Sequence, residues 1–309
     1  AHMDHPGFEI FLNTEQKNIY TARALGAVPV ASLKKPVPVL VLTPDGERLP
    51  AVLEPMDQSD SAGDRLVGVR MKSDAEFPMP AAVIFDLPDF NLDGDTIRMR
   101  AADDLGGCAS ILAALERLVA DSVETDFYAV FTRAEEGGLH GARLMAEAGT
   151  LPRDTLVVSV ETSSIIPGIA QGEGPIVRTG DRVYTFDADA EQVFHVARES
   201  IIGRNPDFKS QRQLMSAGGC EATAFAVFGY KVTGLAYALG NWHNATTSIP
   251  DPEGGVDSEY ISLSDYLGGV ALIAEAAVSV AQRNDSATRR RIRDIPDDIR
   301  RRLMDTADA

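Results

Sequence analysis

The sequence predicts an α/β protein: a three-layer αβα domain with a mainly parallel central sheet, into which a small β-barrel-like domain is inserted. Residues 12–93 contain short apolar runs broken by Pro, Gly and Asp, which is typical of a small barrel or sandwich. From about residue 94 onward, strand-length apolar runs alternate with helical stripes. This alternation favours parallel strands that are covered by helices on both faces.

The β-rich segment follows a strand end at Phe8–Phe11. Its own strands are predicted by four apolar runs, Val37–Leu42, Leu49–Leu53, Leu66–Met71 and Ala81–Phe85. A turn signal, Thr43-Pro44-Asp45-Gly46, separates the first two runs. We therefore expect a β domain at residues 12–93, inserted between the first strand and the first helix of a larger domain made of residues 1–11 and 94–283.

The larger domain is predicted from alternating periodicities. Helices are indicated by the apolar residues of Leu105–Val119, Val193–Ile201 and Tyr266–Ala281, and strands by the runs Phe127–Thr132, Thr155–Val160 and Val232–Leu239. Residues 284–309 form a charged, Arg-rich helical tail whose few apolar residues fall at helical spacing. This tail is interpreted either as a solvated helix that rests on the body or as a subunit contact.

Composition restricts the class of protein. A chain of 309 residues, 44 % of them hydrophobic, buries the core of one large domain or two. Two cysteines, Cys108 and Cys220, exclude a disulfide scaffold and a four-cysteine zinc module. No apolar run approaches the ~20 residues that span a bilayer. The net charge of −17 disfavours nucleic-acid binding and is typical of a cytoplasmic protein or of salt adaptation.

Acidic residues stand at the ends of the predicted strands. Asp103-Asp104 precedes a helix, Glu135-Glu136 follows the strand FYAVFT, and Glu161 follows the strand TLVVSV. Each piece alone is common as a helix N-cap or a solvated turn. In an open α/β sheet, however, the carboxyl ends of the strands share one rim, where these carboxylates would repel one another without a cation. Together the acids predict a divalent-metal site.

Two histidines complete the predicted site. His2 precedes the first strand in an H-x-D sequence, where Asp4 is placed to fix the tautomer of His2. His243 lies in GNWHN, after a strand-like run. Because imidazole and carboxylate ligands suit zinc or cobalt, we expect one of these ions.

The charge count gives the remaining carboxylate a role. Asp103, Glu136 and Glu161 supply three negative charges, whereas two divalent ions bring four positive charges. One hydroxide between the metals would neutralise the site, and such a hydroxide is the nucleophile of two-metal hydrolases. Glu135 is not needed as a ligand, so it can take the proton from that water and pass it to a leaving amine.

In this order, the pieces resemble the M42 family of glutamyl (tetrahedral) aminopeptidases, in the clan of dizinc co-catalytic exopeptidases. The resemblance rests on the motifs AHMDHPGF, RAADDLGGC, FTRAEEGGLHGA, VSVETS and GNWHN. It covers nearly the whole chain, because the β segment matches the family's inserted domain in position and size. It implies two divalent ions, a peptide substrate and a homo-oligomer, such as a dodecamer whose active sites face an interior chamber.

The resemblance also implies a role for each matching residue. One metal would be held by His2, Asp103 and Glu161, and the other by Asp103, Glu136 and His243, with Asp103 as the bridge. Glu135 would be the general base, and Asp4 would orient His2. A cis peptide bond is expected between Asp103 and Asp104.

Three features depart from the family pattern. Leu105 stands where members usually have Arg, and Glu161 where they usually have Asp, although Glu occurs there in related branches of the clan. The family also has several tens of residues before the H-x-D strand. The start of this chain is therefore interpreted as a truncation inside a strand rather than as a cloning remnant at His2-Met3.

We expect a metallo-aminopeptidase that removes N-terminal residues from peptides through a metal-bridging hydroxide and a Glu general base. One alternative is a carboxypeptidase or deacylase of the neighbouring M20 type, in which the insertion lies later in the chain than it does here. The other alternative is a non-catalytic relative, but the presence of Glu135 favours catalysis.

Overall fold

The structure is a computed structural model that describes residues 1–55 and 65–307. Residues 56–64, part of the predicted β insertion, and residues 308–309, the end of the predicted tail, lie outside the described residues. The described residues form a six-stranded barrel, a four-stranded sheet, a three-stranded sheet and several helices. The fold is therefore a mixed α/β fold, as the sequence predicts.

Six strands close into the barrel. They are β1 (Gly7–Asn13), β2 (Ile19–Leu25), β3 (Val37–Leu42), β4 (Arg48–Pro55), β5 (Leu66–Met71) and β6 (Ala81–Phe85). Their order is β1-β2-β5-β4-β3-β6, and all neighbours are antiparallel. Successive side chains of a strand face opposite sides, so Val39 and Val41 both point inward and are buried.

The first strand contributes to the barrel. Residues Phe8–Phe11 lie within β1, which pairs with β2 and β6, and the Phe8 ring packs edge-on against Phe85 with centroids 5.6 Å apart. The division of the chain into a β domain at residues 12–93 within a larger domain at residues 1–11 and 94–283, followed by a tail from residue 284, stays a prediction.

The remaining strands form two sheets. They are β7 (Asn91–Asp93), β8 (Thr96–Met99), β9 (Leu156–Ser164), β10 (Ile176–Gly180), β11 (Gln211–Leu214), β12 (Lys231–Leu239) and β13 (Glu259–Ser262). The larger sheet has the order β11-β10-β12-β9, and the smaller has the order β13-β8-β7. The β10–β11 and β12–β9 pairs are parallel but the β10–β12 pair is antiparallel, so the larger sheet is mixed.

Helices cover both faces of β12. They are α1 (Ala102–Ala120), α2 (His140–Ala148), α3 (Gln192–Arg204), α4 (Glu221–Val227), α5 (Leu263–Ser279), α6 (Ala287–Arg293) and α7 (Asp297–Asp305). Leu235 and Tyr237 belong to one core with α1, α3 and α5. Val232, on the opposite face of the strand, belongs to a core with α2 and α4. The three predicted helices correspond to α1, α3 and α5.

One predicted strand is wrong. Among the described residues, Phe127–Thr132 forms no strand, and its backbone pairs only at an isolated parallel bridge between Thr132 and His2. Phe127 and Val130 line an apolar cavity of about 170 Å³ together with Val158 and Val160 of β9. The run is apolar enough for a strand, but a strand also needs a neighbour at hydrogen-bonding distance. The other two predicted strands lie in β9 and β12.

The helix of highest hydropathy belongs to the core. Leu263–Gln282, which includes α5, is long and apolar enough by composition to cross a membrane, with a mean hydropathy of 1.4. No apolar run of membrane-spanning length was predicted from the sequence, so this helix corrects that prediction. A core helix passes the same test, and Leu272, Ile273 and Ala274 are buried against the sheet and its neighbouring helices.

Candidate active site

The predicted site residues come from five separate parts of the chain and converge on one cavity of about 190 Å³. His2 precedes β1, Asp103 lies in the first turn of α1, and Glu161 lies in β9. Glu135 and Glu136 occupy the loop before α2, and His243 lies in a 3₁₀ turn after β12. All six of these residues line the cavity.

His2, Asp103 and Glu161 form one group. His2 Nε2 lies 3.2 Å from Asp103 Oδ1 and 3.8 Å from Glu161 Oε2. All three residues are buried, and their ligand atoms lie within 4.8 Å of one another. This is the set of residues that the resemblance to the M42 family implies for one metal.

Asp103, Glu136 and His243 form a second group. His243 Nε2 lies 3.0 Å from Glu136 Oε1 and 3.7 Å from Asp103 Oδ2. The other oxygen of Asp103 faces His2, so its carboxylate belongs to both groups. The two groups thus share the residue that the sequence assigned as the bridge.

Glu135 lies beside both groups. Its Oε2 is 3.9 Å from His2 Nε2, and the side chain opens into the cavity. Burial, together with repulsion by the Glu161 carboxylate, raises the pKa of Glu135 to about 10. Positive charge added to this cluster would oppose that shift, since it favours the ionised carboxylate.

Asp4 organises the loop of the two glutamates as well as His2. Its backbone carbonyl lies 3.0 Å from His2 Nδ1, and its carboxylate lies 3.6 Å from the same atom. The carboxylate also accepts hydrogen bonds from the backbone N–H groups of Glu135 and Glu136, at 3.1 and 3.2 Å. Asp4 therefore fixes the backbone that carries both glutamates, a contact that the sequence did not predict.

The remaining charges show how crowded the site is. Burial and repulsion by Glu161 raise the pKa of Asp104 well above its usual range. Burial also raises the pKa of Glu161, to about 7. Burial acts to lower the pKa of His2, but the Asp103 carboxylate, 3.2 Å away, and the other acidic charges outweigh burial and raise the pKa. The negative charges are compensated only in part by the histidines.

Local backbone geometry places two of the side chains. The Asp103–Asp104 peptide bond is cis, which confirms that prediction. His243 has φ 55°, and its neighbours Asn241 and Asn244 have φ 54° and 64°. These are left-handed conformations that non-glycine residues rarely adopt, although Asn is among the more tolerant. The turn they form points the His243 ring back toward Glu136.

Two residues that were not predicted from the sequence, Glu259 and His5, hydrogen-bond the backbone of the predicted site residues. Glu259 of β13 is fully buried; its carboxylate accepts hydrogen bonds from the backbone N–H of Asp103 at 2.9 Å and of His243 at 2.7 Å. His5 Nδ1 donates to the Asp103 carbonyl oxygen at 2.7 Å. No pattern marks Glu259, because its partners are backbone groups, whereas His5 stands within the motif AHMDHPGF.

A buried arginine forms another wall of the cavity. Arg178 of β10 is only 3 % exposed, and its Nε has no hydrogen-bond partner among the described residues. Its stem packs on Gly234, where an added Cβ would lie 3.2 Å from the Arg178 Cβ. Four carboxylates and one guanidinium line the cavity. The sequence did not indicate that a positive charge lies among the acidic residues.

The donor set fits divalent metal ions. His2, His243, Asp103 and Glu161 are buried and Glu136 is partly buried beside them; Asp103 Oδ1 is a buried oxygen that no donor among the described residues meets with hydrogen-bond geometry. Buried carboxylate oxygens are costly unless a proton or a cation satisfies them. Imidazole and carboxylate ligands in this combination suit zinc or cobalt.

The fold is similar to that of solved structures described as peptidases, and to some described as endoglucanases. TET1 peptidase from Pyrococcus horikoshii aligns with a TM-score of 0.70 and 22 % identity, over 90 % of this chain and 82 % of that one. A TET aminopeptidase from Thaumarchaeota archaeon SCGC AB-539-E09 aligns with a TM-score of 0.70 and 20 % identity, over 94 % and 81 %. At these identities the likeness shows the fold alone.

Sequence comparisons identify the family. A candidate aminopeptidase from Acetivibrio thermocellus is 26 % identical over 193 residues, which cover 61 % of this chain and 53 % of the relative. The matched part thus spans about half the length of that curated relative. The model of the M42 glutamyl aminopeptidase family matches residues 71–250, more than half of the chain, and the chain therefore belongs to the M42 glutamyl aminopeptidase family.

Proposed function

We propose that the protein is a dimetal-dependent aminopeptidase that removes the N-terminal residue from peptides. The observation that carries this proposal is the shared carboxylate of Asp103. One of its oxygens faces His2, and the other faces His243, so that two ligand groups meet at one residue. Membership of a peptidase family supports the same reaction class.

The proposed ligands divide as the contacts do. His2, Asp103 and Glu161 would hold one ion, and Asp103, Glu136 and His243 the other. When bound, zinc or cobalt would supply Lewis-acid activation of the scissile carbonyl and of the attacking water. The ligand carboxylates would offset three of the four positive charges and, with the two histidines, would hold the ions in position.

Glu135 is the proposed general base. Its carboxylate lies in the cavity, close to His2 and Glu136, but it is absent from both ligand groups that share Asp103. Oε1 or Oε2 would take a proton from the attacking water, hold it in the partly buried pocket, and deliver it to the nitrogen of the departing amine. Asp4 contributes by holding the Glu135 backbone N–H, which limits movement of the base between the two transfers.

Arg178 suggests which N-terminal residue is preferred. A guanidinium recognises carboxylates through paired hydrogen bonds, and Arg178 is the one arginine or lysine among the residues that line the cavity. We infer a preference for peptides that begin with Glu or Asp, whose side-chain carboxylate would reach Arg178. The name of the family, glutamyl aminopeptidase, agrees with this inference.

The same arginine also suits a second candidate function. A carboxypeptidase or deacylase of the M20 type would use a guanidinium to bind the C-terminal carboxylate of its substrate. The two functions differ in which substrate terminus must be free. An aminopeptidase cleaves Glu-p-nitroanilide and ignores N-acetylated peptides, whereas a carboxypeptidase cleaves the blocked peptides.

We also propose that the protein self-associates and is cytoplasmic. The P. horikoshii relative is described as assembling into a tetrahedron or an octahedral shell. We infer that this chain forms a homo-oligomer that admits short peptides. A cytoplasmic location agrees with its net charge of −17.

Metal content and activity together test the proposal. The purified protein is stripped with chelator, titrated with Zn²⁺ or Co²⁺, and assayed on a panel of aminoacyl-p-nitroanilides. We expect two ions per chain and activity that rises with metal and is largest for Glu or Asp substrates. Metal binding without hydrolysis of any free-amino substrate would contradict an aminopeptidase, and cleavage of N-blocked peptides alone would favour the M20-type reaction.

A further inference from the structure

One edge of strand β9 lines two cavities in succession. Five consecutive residues, Leu156–Val160, line the apolar cavity of about 170 Å³, and the next four, Glu161–Ser164, line the active-site cavity of about 190 Å³. Successive side chains of a strand point to opposite faces, so consecutive residues that all line one cavity present their backbone to it. The edge of β9 at Thr162–Ser164, which we call the β9 free edge, therefore faces the active-site cavity.

The β9 free edge has no partner strand among the described residues. β12 pairs with β9 along its whole length, from Leu156 to Ser164, and thereby occupies the opposite edge. No backbone–backbone hydrogen bond reaches residues 162–164 from any other described segment. Half of the N–H and C=O groups of an edge strand point away from its partner, so those of the β9 free edge can bind a ligand.

The β9 free edge lies in a cleft that leads out of the protein. Thr162 and Ser163 are 4 % and 8 % exposed, whereas Ile165, directly after the strand, is 47 % exposed. β9 therefore runs from the buried ligand groups toward solvent. An unpaired edge in a cleft favours an extended peptide as the ligand, because pairing with a peptide satisfies backbone groups that the cleft shields from bulk water.

Strand register places Arg178 at the other end of the cavity. Arg178 of β10 lies opposite Gly234 of β12, which lies opposite Ser159 of β9. Glu161 is two residues farther along β9, which corresponds to about 7 Å. Three parts of the site thus follow one another along the direction of β9: Arg178, the two ligand groups, and the β9 free edge.

This order matches a peptide that enters with its N-terminal residue first. The match rests on the proposed function, in which the side chain of the first substrate residue reaches Arg178 and the first peptide bond lies at the ligand groups. The second to fourth residues of the substrate would then leave the cavity along Thr162–Ser164. Because β9 runs outward in the same direction, the substrate would pair with it in parallel.

We propose that the substrate residues that follow the scissile bond bind as an added parallel strand on the β9 free edge. The substrate class is therefore an extended peptide of three or more residues, rather than a dipeptide or an aminoacyl amide. Backbone hydrogen bonds are available to any peptide sequence, so the β9 free edge selects length and extended conformation, while Arg178 selects the first side chain.

Peptide length and single backbone replacements test the proposal on the zinc-loaded parent chain. kcat/KM is measured from released glutamate for Glu-Ala, Glu-Ala-Ala and Glu-Ala-Ala-Ala-Ala, each as the C-terminal amide so that the charge is constant. In two analogues of the pentapeptide, the third or the fourth residue is replaced by lactate. An ester oxygen then takes the place of one N–H group, and the scissile bond is unchanged. Glu-p-nitroanilide, which has no residue beyond the scissile bond, is the control for aminopeptidase activity.

We expect kcat/KM to rise by about tenfold or more from the dipeptide to the pentapeptide, since one backbone hydrogen bond corresponds to roughly 2–10-fold. Successive N–H groups of a strand point to opposite sides, so one ester analogue should lose most of this gain and the other should keep it. Equal losses in the two analogues would overturn the proposal. Cleavage of Glu-p-nitroanilide with no effect of peptide length would also overturn it, but would leave the aminopeptidase function intact. Failure to cleave any free-amino substrate would refute both.

Discussion

The carboxylate of Glu259 accepts a hydrogen bond from the backbone N–H of His243 at 2.7 Å, deep beneath the cavity. The other oxygen of the same carboxylate accepts from the N–H of Asp103 at 2.9 Å. One buried side chain therefore fixes the relative positions of two proposed ligands that are distant in the chain. Burial and repulsion by Asp103 raise the pKa of Glu259, because both disfavour the negatively charged form of its carboxyl group.

We expect Glu259→Ala to damage both stability and metal binding. Two buried N–H groups would lose their acceptor, at a cost of about 1–3 kcal/mol each. Residues that support metal ligands in this way typically change metal affinity by about 10–100-fold when they are replaced. Urea unfolding and zinc titration measure the two effects. Glu147→Ala, at an exposed position of α2, is the control, and equal behaviour of the two variants would refute this role.

The contrast between Glu259 and Glu161 shows how far the sequence predicts the site. Glu161 was predicted to follow an apolar strand at a sheet rim, near the other acids; in the structure β9 continues to Ser164, so Glu161 lies within the strand, yet it still lines the cavity with those acids. Glu259 sits in a short strand of a different sheet and contacts backbone atoms, which carry no side-chain signature. The side chains proposed as metal ligands are thus predictable from spacing and family motifs, whereas the side chains that hold the backbone of those residues are not.

The same distinction explains the errors in the fold. The inward-facing residues of the barrel and of β12 follow from alternation of apolar side chains, which is a local property. Phe127–Thr132 has the right composition but lies across a cavity from β9, and pairing depends on a neighbour rather than on the run itself. The antiparallel β10–β12 pair likewise depends on the chain path between the strands.

We expect Arg178→Met to change the substrate preference. Loss of a charged hydrogen bond to a substrate carboxylate corresponds to about 1.5–3 kcal/mol, or roughly 10–150-fold in kcat/KM. The kcat/KM for Glu-p-nitroanilide should fall by this factor, whereas the kcat/KM for Leu-p-nitroanilide should change by less than about threefold. Arg198→Met, at an exposed position of α3, is the control. An equal loss on both substrates would mean that Arg178 supports the site in general and does not select the N-terminal residue.

Away from the site, Glu191 should make stability depend on pH. Burial opposes its ionisation, but hydrogen bonds from His195 and from Arg212, the latter at 3.0 Å, outweigh burial and lower its pKa to about 2. Since the folded pKa lies below the unfolded value of 4.5, the stabilisation is complete above about pH 4.5 and is lost as pH falls toward 2.

Comparison of Glu191→Gln with the parent chain measures this effect. Because His195 and Arg212 are partly exposed, solvent screening reduces the contribution to about 1–2 kcal/mol at pH 7. The difference in free energy of unfolding should shrink by up to about 1 kcal/mol between pH 7 and roughly pH 3.5. Glu147→Gln should show no such change. A difference that is constant with pH would show that Glu191 acts through packing.

Variants of the adjacent residues Glu135 and Glu136 should distinguish the proposed general base from the proposed metal ligand. Glu135→Gln keeps the size of the side chain but cannot take a proton, so we expect nearly unchanged metal content and a kcat lower by about 10²–10⁴. Glu136→Gln replaces a charged oxygen beside His243 with a neutral amide, so it should weaken one metal site and regain activity with added zinc or cobalt. Metal titration with parallel kinetics distinguishes them. Rescue of Glu135→Gln but not of Glu136→Gln would reverse the two assignments, and full activity in both would refute the proposed catalytic site.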